Sequence, residues 1–469
     1  MAKPHRTTAG TVRDQLQSRR ARLIAFLALF GVVALFGGAS RADVASLVLL
    51  RPLAVLFGGY ALLVMPSGQL RDFRALLAVV AAAFVAVGWQ LIPLPPAVWT
   101  SLPLREPVAA LDGTLGVEVW RPAALSPDGA WNALFSLLVP TAALLAYIAL
   151  DPRDRPKLLS AICCFALFSA FVGIMQLLGD PNGSLFFYAI TNEGLPVGLF
   201  SNRNHHAILL VCAMPILALW ASRTLDEAKW VLPASLAAQV VLLSVVLLTG
   251  SRAGLITAVI AVVATVWLIA FRQRPAPKPG AAPSPWRGRR LLATIAAAMA
   301  AVVALLLIFG RGLALERFLA TDPETEIRVT AFPEVMEMLR EAWLLGVGPG
   351  SFPAAFEIGE PVSMIAPNYL NHAHNDWLEL PVELGIPGLI VLAWFIVLAA
   401  VYALRMVRSR RMTWGARIAV LAPPAIFAAA SVVDYPLRTP SLAVVALLWL
   451  AAMANVPERI LPPASRPRG

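Results

Sequence analysis

The chain has 469 residues, of which 59% are hydrophobic and only 14% charged, and its mean hydropathy is +0.74. Soluble domains are roughly a quarter charged, so this composition excludes a soluble fold and requires lipid to cover the apolar surface. The net charge of +11 does not mark a nucleic-acid binder, because the basic residues collect in short segments between apolar runs, which is the pattern of membrane topology.

A helix needs about 20 apolar residues to cross a bilayer. Runs of suitable length predict spans near 22–38, 44–65, 73–92, 131–150, 157–178, 205–221, 231–249, 252–271, 291–310, 376–403, 415–433 and 440–455. The N-terminus is basic and then apolar, with no small-residue cleavage site closing its first run, so it reads as the first span rather than a cleaved signal. With a cytoplasmic N-terminus, the inside segments are 1–22, 66–74, 151–157, 222–230, 272–290, 404–417 and 456–469. They hold 27 of the 38 Lys and Arg residues, so twelve spans with both termini cytoplasmic are expected. The expected units are an N-terminal transmembrane region (1–310), a large outer loop (311–375) and a C-terminal transmembrane region (376–469).

Two outer segments are long. The stretch 93–130 is rich in Pro and Trp and reads as a small interfacial element. The stretch 311–375 is far longer than a connecting turn, and loops of that length are usually functional or disordered. Phe332, Val335, Met336, Leu339 and Trp343 stand at helical spacing within it and predict helices. The linker 272–290 is rich in Pro and Arg and reads as a cytoplasmic basic tether suited to anionic lipid. Cys163, Cys164 and Cys212 lie inside apolar runs as small core residues, with no disulfide framework and no zinc spacing.

The candidate chemistry lies in three outer segments. Histidines pair as His205 and His206 in Phe200-Ser-Asn-Arg-Asn-His-His-Ala207, and as His372 and His374 in the run from Asn371 to Trp377. The third segment is a tight turn, Thr249-Gly-Ser-Arg-Ala-Gly254. Each opens a span at the same membrane face, with Asn or Ser available as a cap, among them Asn202, Asn204 and Asn375. Helix N-termini offer free N–H groups and partial positive charge, and with Arg203 and Arg252 they suit a phosphate or diphosphate. The same partial charge disfavours a protonated imidazole, which leaves His374 able to take a proton from a hydroxyl. Asp376, Glu379 and Glu383 share one helix face, where an intramembrane carboxylate is functional by default. Glu379 and Glu383 read as partners of an Arg or as supports of the base.

Plainer readings stand beside these. An interfacial Arg is usually an anchor, His205 and His206 can be structural, and Asp434 with Arg438 reads as a structural ion pair. A His-x-His pair can ligate a metal, but no further Cys or His lies nearby in sequence, so no metal is expected.

The run from His374 through Glu383-Leu-Gly385-Ile-Pro-Gly388 resembles the "HN-x-x-L…E-x-G-x-x-G" signature of the O-antigen ligase and polymerase superfamily. Phe200–Ala207 is similar to its "F-x-N-x-N" segment, Ser251-Arg252-Ala253-Gly254 to its "S-R-x-x" turn, and Arg328 through Gly346-Val-Gly-Pro-Gly-Ser-Phe352 to the loop segment ending in "L-G-x-G". The blocks follow the family's order over roughly 130–455. The residue between Asn202 and Asn204 is often non-basic in the family, which makes Arg203 a weaker match than Arg252.

The resemblance implies an all-α integral membrane glycosyltransferase of the GT-C type, with about twelve transmembrane helices and a large periplasmic helical loop, in a bacterial inner membrane. It implies an undecaprenyl-diphosphate-linked glycan donor, no cofactor and no metal, His374 as base on the acceptor hydroxyl, and Arg252 and Arg203 on the leaving diphosphate. His372, Asn375, Glu379, Glu383, His205, His206, Asn202, Asn204 and Arg328 would support them. Within the family the acceptor is lipid A-core, a growing polysaccharide or a protein; the long outer loop favours lipid A-core. Two readings from other classes remain: a multi-span transporter, disfavoured because the polar residues gather at one interface rather than mid-membrane, and a non-catalytic envelope scaffold.

Overall fold

The computed structural model describes residues 14–224, 230–270, 323–365, 370–409 and 412–454. The predicted span near 291–310, the linker 272–290 and the start of the large outer loop lie outside the described residues.

The described chain is mostly helical. Its helices are α1 (Arg19–Phe36), α2 (Leu47–Leu63), α3 (Arg74–Gly88), α4 (Glu106–Leu115), α5 (Pro127–Ser136), α6 (Leu138–Ala149), α7 (Lys157–Leu178) and α8 (Arg203–Thr224). After these come α9 (Val231–Leu248), α10 (Arg252–Ala270), α11 (Pro323–Ala342), α12 (Phe352–Gly359), α13 (Asp376–Arg408), α14 (Trp414–Ala430) and α15 (Pro440–Ala454). Shorter helical turns lie between them. Among the described residues, six stretches are long and apolar enough to cross a membrane: Arg74–Leu91, Pro127–Ala149, Lys157–Leu178, Arg203–Ser222, Val231–Leu248 and Asp376–Arg408. Shorter apolar helices occupy Leu47–Leu63, Arg252–Leu268, Trp414–Ala430 and Pro440–Ala454. The chain is thus an all-α, multi-pass membrane protein.

The core is built around α8, whose residues from Ala207 to Leu219 are almost all buried. A helix apolar on every side must be covered on every side, and α7, α9, α10 and α14 surround it. Glycine sets the closest approach: a Cβ on Gly254 of α10 would run into the methyl of Ala207. Around this pillar α2 packs on α6, α6 on α15, and α3 on α13.

The stretch 93–125 forms a small element of its own. Its two-residue strands β1 (Pro93–Leu94) and β2 (Arg121–Pro122) pair antiparallel. Trp99, Leu102 and Ala123 make its core. Arg121 stacks over Trp99 at 5.6 Å and pairs with Asp112 at 2.6 Å.

The large loop contributes α11 and α12. The helix predicted from residues 332–343 is present, but its buried face is Ala331, Val335, Met338 and Ala342, packed with Phe352 and Phe356 of α12 and Val382. Phe332 and Trp343 are exposed. The predicted set mixed two faces, because the small residues Ala331 and Ala342 carry the contact with the bundle and aromatic size does not.

Helix α13 is broken inside the predicted span. Gly385 has φ 57° and ψ −144°, a conformation essentially confined to glycine. The groups freed by the break are taken by the loop after α11: Val347 N–H donates to Val382 O at 3.0 Å, Gly348 N–H to Glu383 O at 2.9 Å, and Ile386 N–H to Leu344 O at 3.1 Å. The Gly346-Val-Gly-Pro-Gly350 run is therefore a backbone splint for a broken helix. It is also tight, since a Cβ on Gly346 would strike the Glu383 carbonyl and one on Gly385 would strike Leu344 and Gly346.

Candidate functional site

Three helix N-termini open on one cavity of about 450 Å³. From α8 come Arg203 and Asn204, from α10 Arg252 and Ala253, and from the start of α13 His374, Asn375 and Leu378. The remaining wall is apolar and includes Ile256, Phe332, Val335 and Val433. Residues 203, 252 and 374, far apart in sequence, thus share one space.

Local chemistry fixes each N-terminus. At α8, Asn204 N–H donates to Asn202 Oδ1 at 2.7 Å and Arg203 N–H donates to Asn192 Oδ1 at 2.9 Å. At α10, Gly254 N–H donates to Ser251 Oγ at 3.0 Å, while Ser251 N–H donates to Thr249 Oγ1 at 3.1 Å. Gly250, with φ 64°, makes the tight turn and lies under the Arg203 guanidinium, whose Nη1 would stand 3.9 Å from a Cβ there. At α13, Leu378 N–H donates to Asn375 Oδ1 at 3.1 Å. These are Asx and Ser caps, which satisfy first-turn N–H groups, and at α13 the Asp376 N–H is taken as well, by Ser431 O at 2.9 Å.

His374 has φ 51°, in the left-handed region that a side chain with a Cβ rarely adopts. Its Nδ1 lies 3.3 Å from Asp434 Oδ1. Its ring meets Tyr435 edge-on with centroids 4.8 Å apart. The same Tyr435 ring touches His372 at 4.2 Å and His205 at 5.2 Å, so one aromatic residue separates three histidines.

Behind the cavity lies a buried polar layer. Glu379 receives His372 Nδ1 at 2.6 Å and the Ala373 N–H at 2.7 Å, which folds the His-x-His turn back onto its own helix. Glu383 accepts from Gly350 N–H and from Arg438 Nη2, both at 2.9 Å. Arg438 also faces Glu379 at 3.3 Å and Asp376 at 3.6 Å. Burial alone would lower the Arg438 pKa, but Glu379, Glu383 and Asp376 outweigh it and raise the pKa above its ordinary value, so the guanidinium is held charged. Ser431 Oγ donates to Asp376 at 2.9 Å and ties α14 to this layer.

The predicted residues thus divide. Arg203, Asn204, Arg252, His374 and Asn375 line the cavity. His372, Glu379 and Glu383 form the layer behind it. His205 is fully buried, with Nδ1 2.8 Å from Thr439 Oγ1 and Nε2 4.0 Å from Asp434 Oδ2. His206 lies elsewhere: its Nδ1–H donates to Pro196 O at 2.6 Å, and its ring stacks on Phe200 and packs against Gly198. Asn202 serves as a helix cap. Arg328 lies on α11, and its side chain is outside the described residues. Asp434 and Arg438 read in sequence as a structural ion pair, but in the structure Asp434 faces His374 while Arg438 faces Asp376, Glu379 and Glu383, and Tyr435 stands among the histidines. Their only signal was the run Asp-Tyr-Pro-Leu-Arg at an outer turn, and their partners are 55 to 60 residues away or more.

Comparison with known proteins points the same way. A family model described as O-antigen ligase matches residues 237–393, a stretch that holds Arg252, the long loop before α13, His374 and the break at Gly385. No match is found among curated proteins. Arg203 and Asp434 fall outside the matched stretch. Residues 237–393 thus carry an O-antigen ligase family domain.

Proposed function

We propose that this protein transfers a glycan from undecaprenyl diphosphate to an acceptor hydroxyl at the periplasmic face of a bacterial inner membrane. The observation that carries the reading is the shared cavity of Arg203, Arg252 and His374 at three helix N-termini. Two guanidiniums at the positive ends of helices suit a diphosphate. An imidazole backed by a carboxylate suits proton abstraction.

The roles follow. His374 Nδ1–H donates to Asp434, which leaves Nε2 to accept the proton of the acceptor hydroxyl, the logic of an acid-oriented histidine. The acceptor oxygen forms a bond to the anomeric carbon as the bond from that carbon to the diphosphate oxygen breaks. The configuration inverts, and undecaprenyl diphosphate departs with the electron pair. Arg252 and Arg203 stabilise the growing phosphate charge, so the step requires no metal. Glu379, Glu383 and Arg438 position the turn that carries His374. The full architecture in this reading is of the GT-C type, with twelve spans and both termini cytoplasmic.

Lipid A-core is the favoured acceptor, because the loop that carries α11 and α12 is long and lies beside the cavity. A growing polysaccharide or a protein hydroxyl would use the same chemistry. The test is the surface-glycan profile of a deletion strain complemented with wild type, His374→Ala or Arg252→Ala. Loss of glycan on lipid A-core, with polymer still on its carrier lipid, is expected for the deletion and for both variants. Undiminished glycan in the deletion overturns the enzyme reading, and normal activity of Arg252→Ala removes the diphosphate clamp.

A further inference from the structure

Asp434 lies between two histidines from different helices. Its Oδ1 is 3.3 Å from His374 Nδ1, and its Oδ2 is 4.0 Å from His205 Nε2. The Asp434 side chain is 2% exposed and that of His205 is fully buried, so solvent screens neither. Tyr435 meets both imidazole rings edge-on and stands between them.

The partners of His205 fix where its proton sits. A carboxylate oxygen only accepts, whereas a threonine hydroxyl can donate or accept. The proton of a neutral His205 therefore belongs on Nε2, towards Asp434, and Thr439 Oγ1–H donates to Nδ1 at 2.8 Å. His206, the next residue, is set the other way, since its Nδ1–H donates to Pro196 O. Adjacent histidines thus carry opposite tautomers, one holding a loop and one facing the site.

At 4.0 Å the Nε2–H dipole still attracts the carboxylate, although a direct hydrogen bond needs about 3 Å. The attraction favours the ionised form of Asp434. That form is needed when His374 has taken the acceptor proton. Burial favours a neutral carboxyl group, which would draw the Nδ1 proton off His374, and the His205 dipole opposes that transfer. Arg203 and His205 stand two residues apart in α8, about 200° round the helix. One turn therefore shows a guanidinium to the cavity and an imidazole to the carboxylate behind the base.

We propose that His205 is a positioning residue for the base: its Nε2–H holds the second oxygen of Asp434, the carboxylate that orients His374. The role rests on the transfer reading above.

The test uses the purified full-length protein in phosphatidylcholine nanodiscs. In nitrogen-15 spectra of labelled histidines, His205 is expected as the Nε2–H tautomer and His206 as the Nδ1–H tautomer. A proton on Nδ1 of a neutral His205 overturns the proposal. Kinetics use an undecaprenyl-diphosphate-linked oligosaccharide as donor and lipid A-core as acceptor. His205→Leu is expected to lower kcat about tenfold, or ~1.4 kcal/mol, with the donor KM unchanged. His205→Gln, which keeps an N–H for Asp434, is expected to recover most of the loss. Thr439→Val removes the orienting hydroxyl at nearly constant volume and serves if His205→Leu does not fold; a loss in kcat of about threefold with an unchanged melting midpoint is expected. In an Asp434→Asn background, His205→Leu is expected to cost nothing further, because it acts through that carboxylate. An equal loss in both backgrounds, or no recovery with Gln, makes His205 merely structural and overturns the proposal. A wild-type kcat in His205→Leu beside an inactive His374→Ala ends the His205 role alone. Wild-type transfer by His374→Ala ends the transfer reading, whatever the tautomers.

Discussion

At the scale of single residues, the site is an electrostatic sorting of charge. Arg203 and Arg252 face one cavity, while Asp376, Glu379 and Glu383 are gathered behind it around Arg438. His374 stands between them, in a left-handed backbone conformation that costs ~1–2 kcal/mol for a residue with a Cβ. Strain of this kind persists where the surroundings over-determine it, and here Asn375, Asp434 and Tyr435 do so. Asp434→Asn is expected to lower the transfer rate by roughly 10²–10⁴-fold through loss of the oriented tautomer, with donor binding retained; a wild-type rate would remove Asp434 from the mechanism. Arg252→Lys keeps charge but loses the planar fork. Its donor KM is expected to lie between those of wild type and Arg252→Ala, and a steady-state titration of the donor checks it. His374, Arg203 and Arg252 were legible in the sequence because each sits in a short run that opens a span. Asp434 was not, since its meaning depends on a turn 60 residues from its partner.

At the scale of elements, the break in α13 matters most. The sequence reads 376–403 as one continuous apolar span, and nothing local to Gly385 says otherwise, because Pro381 and Pro387 are tolerated in membrane helices. The break becomes visible only with the splint at Leu344–Gly348, whose backbone satisfies the interrupted ladder. Gln90 adds a side-chain amide to Leu345 O at 2.9 Å. The "L-G-x-G" and "E-x-G" segments are thus two halves of one joint. Gly385→Ala places a Cβ against Leu344 and Gly346 and forces a glycine-only conformation, so a loss of about 1–3 kcal/mol is expected before the collision is counted. Thermal unfolding of the detergent-purified variant checks it, and an unchanged midpoint would refute the joint.

A second joint ties α1 to the start of α7. Asp154 pairs with Arg19 at 2.6 Å and Lys157 at 3.0 Å. The hydrogen bonds from Arg19, against the opposing effect of burial and with help from Lys157, hold the Asp154 carboxyl at about 2. A depressed folded-state pKa gives stability that is present above the usual value of about 4 and is lost as the pH falls through 2. The melting difference between wild type and Asp154→Asn is therefore expected to be constant above pH ~5 and to close towards pH 2. A difference that widens on acidification contradicts the pairing.

At the scale of the whole molecule, the basic loops favour one orientation, in which the 93–125 element and the arginine cavity are expected on the outer face. The membrane helices themselves were legible from composition, since span length is set by the bilayer. The convergence of three helix ends on one cavity was not, because it depends on how α8, α10 and α13 pack. A single cysteine at Glu118 is expected to react with an impermeant maleimide from outside, and one at Arg153 only after permeabilisation. The reverse result inverts the topology. The decisive measurement follows donor binding and glycan transfer together in the purified full-length protein with a lipid-diphosphate-linked glycan. Arg252→Ala is expected to weaken donor binding, while His374→Ala is expected to bind donor normally and transfer nothing; transfer by His374→Ala at the wild-type rate would remove His374 as the base.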